Sequence, residues 1–110
     1  MKLEKLHEDY PNLFKRIFFE CGSGWYELLN ELAKKITDHC KDKGIEIHAS
    51  QVKEKYGGLR FYVDSATDEI YDLIDQAEKK SFDICEICGE LGTLRTDNKW
   101  CSVRCHDCKP

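Results

Sequence analysis

The chain has 110 residues and a formal net charge of −4, with 17 Lys and Arg against 21 Asp and Glu. This length fits one domain with one modest core, and the negative charge excludes a nucleic-acid interaction driven by overall charge, so that any such contact needs a local basic patch. No apolar run approaches the ~20 residues of a membrane span and the N-terminus lacks the apolar stretch of a secretory signal, so we expect a cytoplasmic protein.

The N-terminal segment has apolar residues at helical spacing. It predicts a short helix from Leu3, a break near Tyr10 because Pro11 cannot lie in a helix interior, and another turn or two before Phe19. A glycine-spaced loop, CGSGW, then leads into Trp25. We expect one group of apolar side chains to close an end of the core: Leu13, Phe14, Ile17 and Phe18.

Two longer amphipathic helices are predicted on either side of a hairpin. The first runs from Trp25 to about Lys41 and ends at Gly44, since its leucines and isoleucine recur at intervals of three and four. The second begins near Ser65, which forms a capping-box pattern with Asp68, and ends near Ser81. Each helix has one apolar face that needs a partner.

The stretch IEIHASQVKEKYGGLRFYVD, residues 45–64, predicts a β-hairpin because apolar and polar residues alternate on both sides of a glycine pair. Gly57 and Gly58 are expected to form the turn, since glycine adopts positive φ without steric cost. The alternation slips at Gln51 and Val52, which predicts a bulge. The expected inward-facing residues are Ile45, Ile47, Ala49, Leu59, Phe61 and Val63.

The C-terminal segment contains two CxxC pairs, Cys85 with Cys88 and Cys105 with Cys108, separated by sixteen residues. Such pairs place four thiolates around one tetrahedral ion, and Gly89 allows backbone amides to turn toward the sulfurs. We therefore predict a structural Zn²⁺ held by these four cysteines. A closed four-thiolate site has no open position at which to activate water, and the short tail should fold only with its metal. The intervening segment predicts a small hairpin that turns at residues 97–98.

Four other potential ligands or thiols complicate the assignment. Cys101 offers an alternative spacing with the second pair, and His106 could replace a cysteine, although the two CxxC pairs need neither. Cys21 and Cys40 lie far from the cluster and are interpreted as buried thiols that pack as small hydrophobes. The odd number of cysteines and the absence of an export signal favour metal binding over disulfides.

These elements predict an α+β fold in which helices pack on a central antiparallel β-hairpin, followed by a zinc-ribbon or treble-clef-like tail. Residues 1–81 form the α+β core with the hairpin at 45–64, and residues 82–110 form the zinc-binding tail. We expect the two parts to behave as one cooperative unit.

Several of these motifs occur together in a known group of proteins. The CGSGW entry, the QVKEKYGGLRFY block and the CEICG turn with a later CxxC resemble a family of small uncharacterised bacteriophage and prophage proteins. The resemblance covers nearly the whole chain, supports Cys105 and Cys108 as ligands, and departs at Cys101. It implies an accessory factor that acts in the host cytosol on host machinery or immunity, with counter-defence as one such role, and implies no established activity.

The hairpin combines cations, an aromatic ring and glycines within eight residues, a chemistry that suits phosphate and base recognition. We predict that it binds an anionic nucleotide-type ligand or nucleic acid, with Trp25 as a further stacking surface. The alternative is that Lys and Arg only keep the strand soluble, the glycines only form the turn, Tyr56 packs on a helix and Trp25 is an ordinary core residue. The predicted ligand-binding residues are Lys53, Lys55, Tyr56, Arg60 and Trp25.

Two other functions remain open at this point. The protein could inhibit a host protein by presenting the hairpin and the acidic helix to it. A hydrolase or nuclease is less favoured, because the histidines are scattered and no GxSxG, HExxH or phosphate-loop signature occurs. We therefore name no catalytic residue.

Overall fold

The structure, a computed structural model, describes residues 3–96 and 101–108 and has the predicted α+β fold. Four helices are present in these residues: α1 (Glu4–Asp9), α2 (Pro11–Phe14), α3 (Tyr26–Lys43) and α4 (Asp68–Lys80). The strands are β1 (Phe19–Glu20), β2 (Ala49–Lys55), β3 (Gly58–Val63), β4 (Thr93–Arg95) and β5 (Ser102–Arg104). Across the described ranges, no helix is both long and apolar enough to cross a membrane.

The N-terminal segment folds as predicted up to its last residues. Pro11 begins α2 after a break at Tyr10, because proline fits the first helical turn but not an interior. Phe18 was expected in the core and is instead 87% exposed. The prediction was wrong because the chain leaves the helix before Phe18 and enters β1, a two-residue strand that the sequence pattern did not indicate.

A three-stranded sheet has the order β1-β2-β3, with β1 parallel and β3 antiparallel to the central strand β2. The hairpin begins later than expected, since Ile45 and Ile47 precede β2 and only Ala49 starts it. The register shifts between Ala49 and Gln51, so the irregularity lies just before the predicted bulge at Gln51 and Val52. The hairpin strands therefore occupy 49–55 and 58–63.

The hairpin turn uses Tyr56 and Gly57, with φ of 54° and 89°, while Gly58 already pairs with Lys55 in the ladder. Positive φ at both central residues is what a two-residue hairpin turn of type I′ requires. The prediction that Gly57 and Gly58 form the turn is thus half right. Gly58 is needed for a different reason, because a Cβ at this position would lie 2.4 Å from the Phe82 ring.

The two long helices end and begin at identifiable residues. Gly44 ends α3 in the left-handed conformation, with φ of 65°, as predicted. The N-cap of α4 is Thr67, whose Oγ1 accepts from the Ile70 N–H, so the Ser65 capping box was wrong. Trp25 lies in a 3₁₀ turn, residues 23–25, immediately before α3.

The core lies between the helices and the inner face of the sheet. Burial of the apolar side chains in this core is the main stabilising term of the fold. Its fully enclosed large side chains are Leu6, Phe14, Trp25, Leu29, Ile36, Val52, Leu59 and Ile70.

The free edge of β3 is covered by side chains from the end of α4. The Leu59 N–H donates to Ser81 Oγ at 3.0 Å, and the Phe61 N–H donates to Glu78 Oε2 at 2.8 Å. Ser81 is completely buried, and its hydroxyl donates in turn to the Glu78 carbonyl. An edge strand with satisfied N–H groups offers no template for further strand addition at those positions.

Candidate metal centre and sheet surface

The four predicted cysteine ligands lie together at the C-terminal end of the fold. The sulfurs of Cys85, Cys88, Cys105 and Cys108 are all within 4.8 Å of one another. The first pair forms a turn after α4, and the second forms a turn directly after β5. Four sulfurs at this separation could hold one metal ion.

Backbone amides point at the sulfurs. Burial opposes ionisation of Cys85, but N–H groups of Cys88, Cys105 and Ile87 outweigh it and lower the pKa of this thiol to about 6. The Cys105 sulfur raises the pKa of Cys108 to about 12. Crowded thiols of this kind resist losing several protons together unless a cation compensates the charge, which is the electrostatic setting of a metal centre.

Gly89 makes the first cysteine turn possible. Its φ is 85° and its N–H donates to the Cys85 carbonyl at 2.9 Å. The next amide, of Glu90, then donates to the Cys88 sulfur. A side chain at the glycine would be strained by this φ, as the sequence pattern had indicated.

Two alternative ligands remain outside the cluster. In the part of the chain that the structure describes, the group of metal-binding side chains includes neither Cys101 nor His106. Cys101 directly precedes β5 and lies beside the hairpin turn, since a Cβ at Gly57 would be 3.3 Å from its carbonyl carbon. The predicted turn of the tail hairpin, residues 97–98, lies outside the described residues.

The glycine-spaced loop before α3 docks on the first cysteine turn. The Gly24 N–H donates to the Glu86 carbonyl and the Gly22 N–H to the Glu86 carboxylate, both at 2.8 Å. Trp25 Nε1 donates to the Ile84 carbonyl at 3.0 Å. Sequence reasoning missed this interface, although the two glycines of CGSGW were its signal.

Trp25 was predicted to stack on a ligand, and the structure corrects this. Its side chain is 0% exposed and its indole N–H is already paired with Ile84. A ring with no accessible face cannot stack on a ligand. Trp25 is therefore a core residue that anchors the tail.

The remaining thiols outside the cluster are partly rather than fully buried. Cys21 and Cys40 both have intermediate exposure. Burial, with the Glu86 and Glu54 charges as smaller causes, raises the pKa of Cys21 to about 12. Such a thiol stays protonated and unreactive at neutral pH.

The predicted ligand-binding cations and Tyr56 lie together on the hairpin, and we call Lys53, Lys55, Tyr56 and Arg60 the basic sheet face. Lys53 and Arg60 are direct cross-strand partners. Tyr56 is 71% exposed, so the alternative in which it packs on a helix was wrong. Lys55 Nζ lies 5.6 Å from the centroid of its ring. Among the described residues, no carboxylate lies within 4.0 Å of these three cations.

The chain matches no protein-family model, no curated protein sequence and no solved structure. The bacteriophage setting and the counter-defence role therefore stay predictions.

Proposed function

We propose that the protein is a zinc-stabilised binding protein that recognises phosphate-bearing ligands, a nucleotide or a nucleic acid, on the basic sheet face. The metal follows from the donor set, because four thiolates in two CxxC turns are a ligand set that tetrahedral zinc prefers. The four sulfurs fill its coordination sphere, so the metal would support structure and leave no position for substrate.

The observation that carries the ligand proposal is the cross-strand pair of Lys53 and Arg60. Like charges directly opposite each other destabilise a sheet. Glu20, the β1 partner of Lys53, and Glu78, on whose pKa Arg60 has a lowering effect, offset this pair only in part, since neither carboxylate lies within 4.0 Å of the two cations. Edge protection does not explain Lys53, because β2 is the central strand. A bound phosphate between the two side chains would convert the repulsion into two charge-assisted hydrogen bonds.

The tail that contains the cysteine cluster packs against the hairpin turn of this surface. The hairpin turn rests on the tail, where a Cβ at Gly57 would lie 2.5 Å from the Leu94 side chain. The Glu54 carboxylate accepts from the Gly57 N–H at 2.7 Å and so helps to fix the conformation of the turn. Zinc thereby holds the turn that carries Lys55 and Tyr56.

Binding of a fluorescein-labelled oligonucleotide and of a labelled nucleotide tests the proposal. Lys53→Ala and Arg60→Ala should each weaken binding by about 1–3 kcal/mol, the worth of a charge-assisted hydrogen bond, without lowering the melting temperature. Lys35→Ala and Lys79→Ala are matched controls, because these lysines are exposed and paired with Glu31 and Asp75 on helices.

Salt provides the second arm of this experiment. Affinity for nucleic acid should fall steeply with added salt, and each alanine variant should reduce that slope, because phosphate contacts release counterions. Unchanged affinity in both variants would defeat the proposal. Salt-insensitive capture of a protein that depends on the same residues would support the alternative of an inhibitor of a host protein.

A further inference from the structure

The outer face of the sheet also carries aromatic side chains that the core does not use. Phe18 is 87% exposed and Tyr62 is 42% exposed. β1 pairs with β2 through Phe19 and Val52, which sets Phe18 beside Gln51, and Gln51 pairs with Tyr62 on β3. We call Phe18, Gln51 and Tyr62 the aromatic row.

The aromatic row lies next to the basic sheet face. Gln51 and Lys53 are two residues apart on β2, so their side chains are on the same face, as are those of Tyr62 and Arg60 on β3. Phe18 and Gln51 line one shallow surface depression together with Arg16 and Glu20. The result is a continuous surface of two rows, one with Phe18, Gln51 and Tyr62 and the next with Glu20, Lys53 and Arg60, in which the cations outnumber the one carboxylate.

Packing does not explain this arrangement. One exposed aromatic residue is ordinary on a protein surface, but Phe18, Tyr62 and Tyr56 share one surface with three cations. The side-chain amide of Gln51 is held in place because its Nε2 donates to Glu20 Oε2 at 3.1 Å, which leaves the amide oxygen as an acceptor.

We propose that this surface binds single-stranded nucleic acid, with unpaired bases stacked on Phe18 and Tyr62 and the phosphates on Lys53 and Arg60. Two strand spacings separate the rings, about 10 Å, which leaves room over Gln51 for a base edge. Stacking requires base faces that a duplex keeps covered by neighbouring pairs. This inference rests on the proposed function and names its ligand class.

The test compares a fluorescein-labelled 12-nucleotide oligo-dT with a labelled hairpin duplex, using the intact chain with its metal. Single strand should bind more tightly than duplex. Phe18→Ala should weaken single-strand binding by about 5- to 150-fold, the range for loss of one stacked base, with an unchanged melting temperature and an unchanged salt slope. Phe18→Trp should restore affinity because it restores a stacking face.

Tyr71→Ala is the matched control, since Tyr71 is 47% exposed on α4 and away from the aromatic row, and it should bind like the unmodified chain. Equal affinity for duplex and single strand, or a silent Phe18→Ala, would overturn the inference. Unchanged affinity of the Phe18→Ala variant, combined with weaker binding by the Lys53→Ala and Arg60→Ala variants, would refute the stacking alone and leave the proposed function intact. Silence in all three variants would refute both.

Discussion

The backbone N–H of Gly24 donates to the carbonyl oxygen of Glu86 at 2.8 Å and joins the loop before α3 to the first cysteine turn. The contact is possible only because residue 24 has no side chain. A Cβ there would lie 2.2 Å from the Cys85 carbonyl oxygen, a distance that backbone atoms cannot accommodate without moving. The cysteine cluster thus packs directly against the N-terminal half of the chain.

Gly24→Ala should therefore lower the free energy of unfolding by about 2–4 kcal/mol, the combined effect of overpacking and a lost hydrogen bond. Gly44→Ala is the matched control, because Gly44 has a φ of 65° but open space around it, and should cost only about 1 kcal/mol. Urea denaturation measures both. A cost for Gly24→Ala no larger than that for Gly44→Ala would contradict this account of the interface.

Metal analysis should find one zinc per chain. Cys85→Ser and Cys108→Ser should lose it, because each removes one of the four clustered sulfurs, whereas Cys101→Ser should keep it. Inductively coupled plasma mass spectrometry on the purified variants gives the stoichiometry. Loss of zinc from Cys101→Ser alone would show that the ligand set is wrong.

Metal removal should change the environment, and therefore the fluorescence, of Trp25. With Trp100→Phe as background, Trp25 is the remaining tryptophan of the chain. Its indole N–H donates to the Ile84 carbonyl, next to Cys85 of the cysteine cluster, so unfolding of the tail should open one side of its pocket. Chelation should then shift its fluorescence to longer wavelength, and added zinc should reverse the shift. An unchanged spectrum after complete metal loss would mean that the tail folds independently of the core.

Two substitutions of Glu78 should show whether the Phe61 N–H requires only a hydrogen-bond acceptor or a charged one. Glu78→Ala leaves the Phe61 N–H without its partner and should cost about 1–3 kcal/mol. Glu78→Gln retains an oxygen acceptor and removes a partly buried charge, so at pH 7 it should be at least as stable as the unmodified chain. Thermal unfolding of both variants checks these values.

The pH dependence has a definite sign. Burial raises the pKa of Glu78 above its ordinary value of 4.5, against the lowering effects of the Phe61 N–H and Arg60. The folded state therefore holds this proton more tightly, and the resulting stability is present below pH 4.5 and lost as pH rises through the folded pKa. As pH rises through the folded pKa, the free energy of unfolding of the Glu78→Gln variant should increase relative to that of the unmodified chain. A gap that narrows with rising pH would contradict the assignment.

The sequence by itself determined the local elements and the cysteine cluster. Helical spacing located α3 and α4, Pro11 and Gly44 set helix boundaries, and the alternation of Leu59 and Phe61 identified the buried side of β3. The spacing of the two CxxC pairs indicated the four sulfurs that the structure brings together. Each of these signals depends on residues close to one another in the chain or on a fixed ligand chemistry, so that the pattern contains the physical cause.

Only the tertiary structure decided what the glycines, Trp25 and Phe18 do. Gly24 is needed because backbone of the tail lies within contact distance of it, and Gly58 is needed because the Phe82 ring does. These contacts join residues more than sixty and more than twenty positions apart in the chain, so no local sequence pattern predicts them. β1 is two residues long and pairs in parallel with a strand thirty-three positions away, so it exposes Phe18 against its helical spacing. Packing between distant segments fixes these roles, because close approach and burial are properties of the assembled surfaces and not of neighbouring residues.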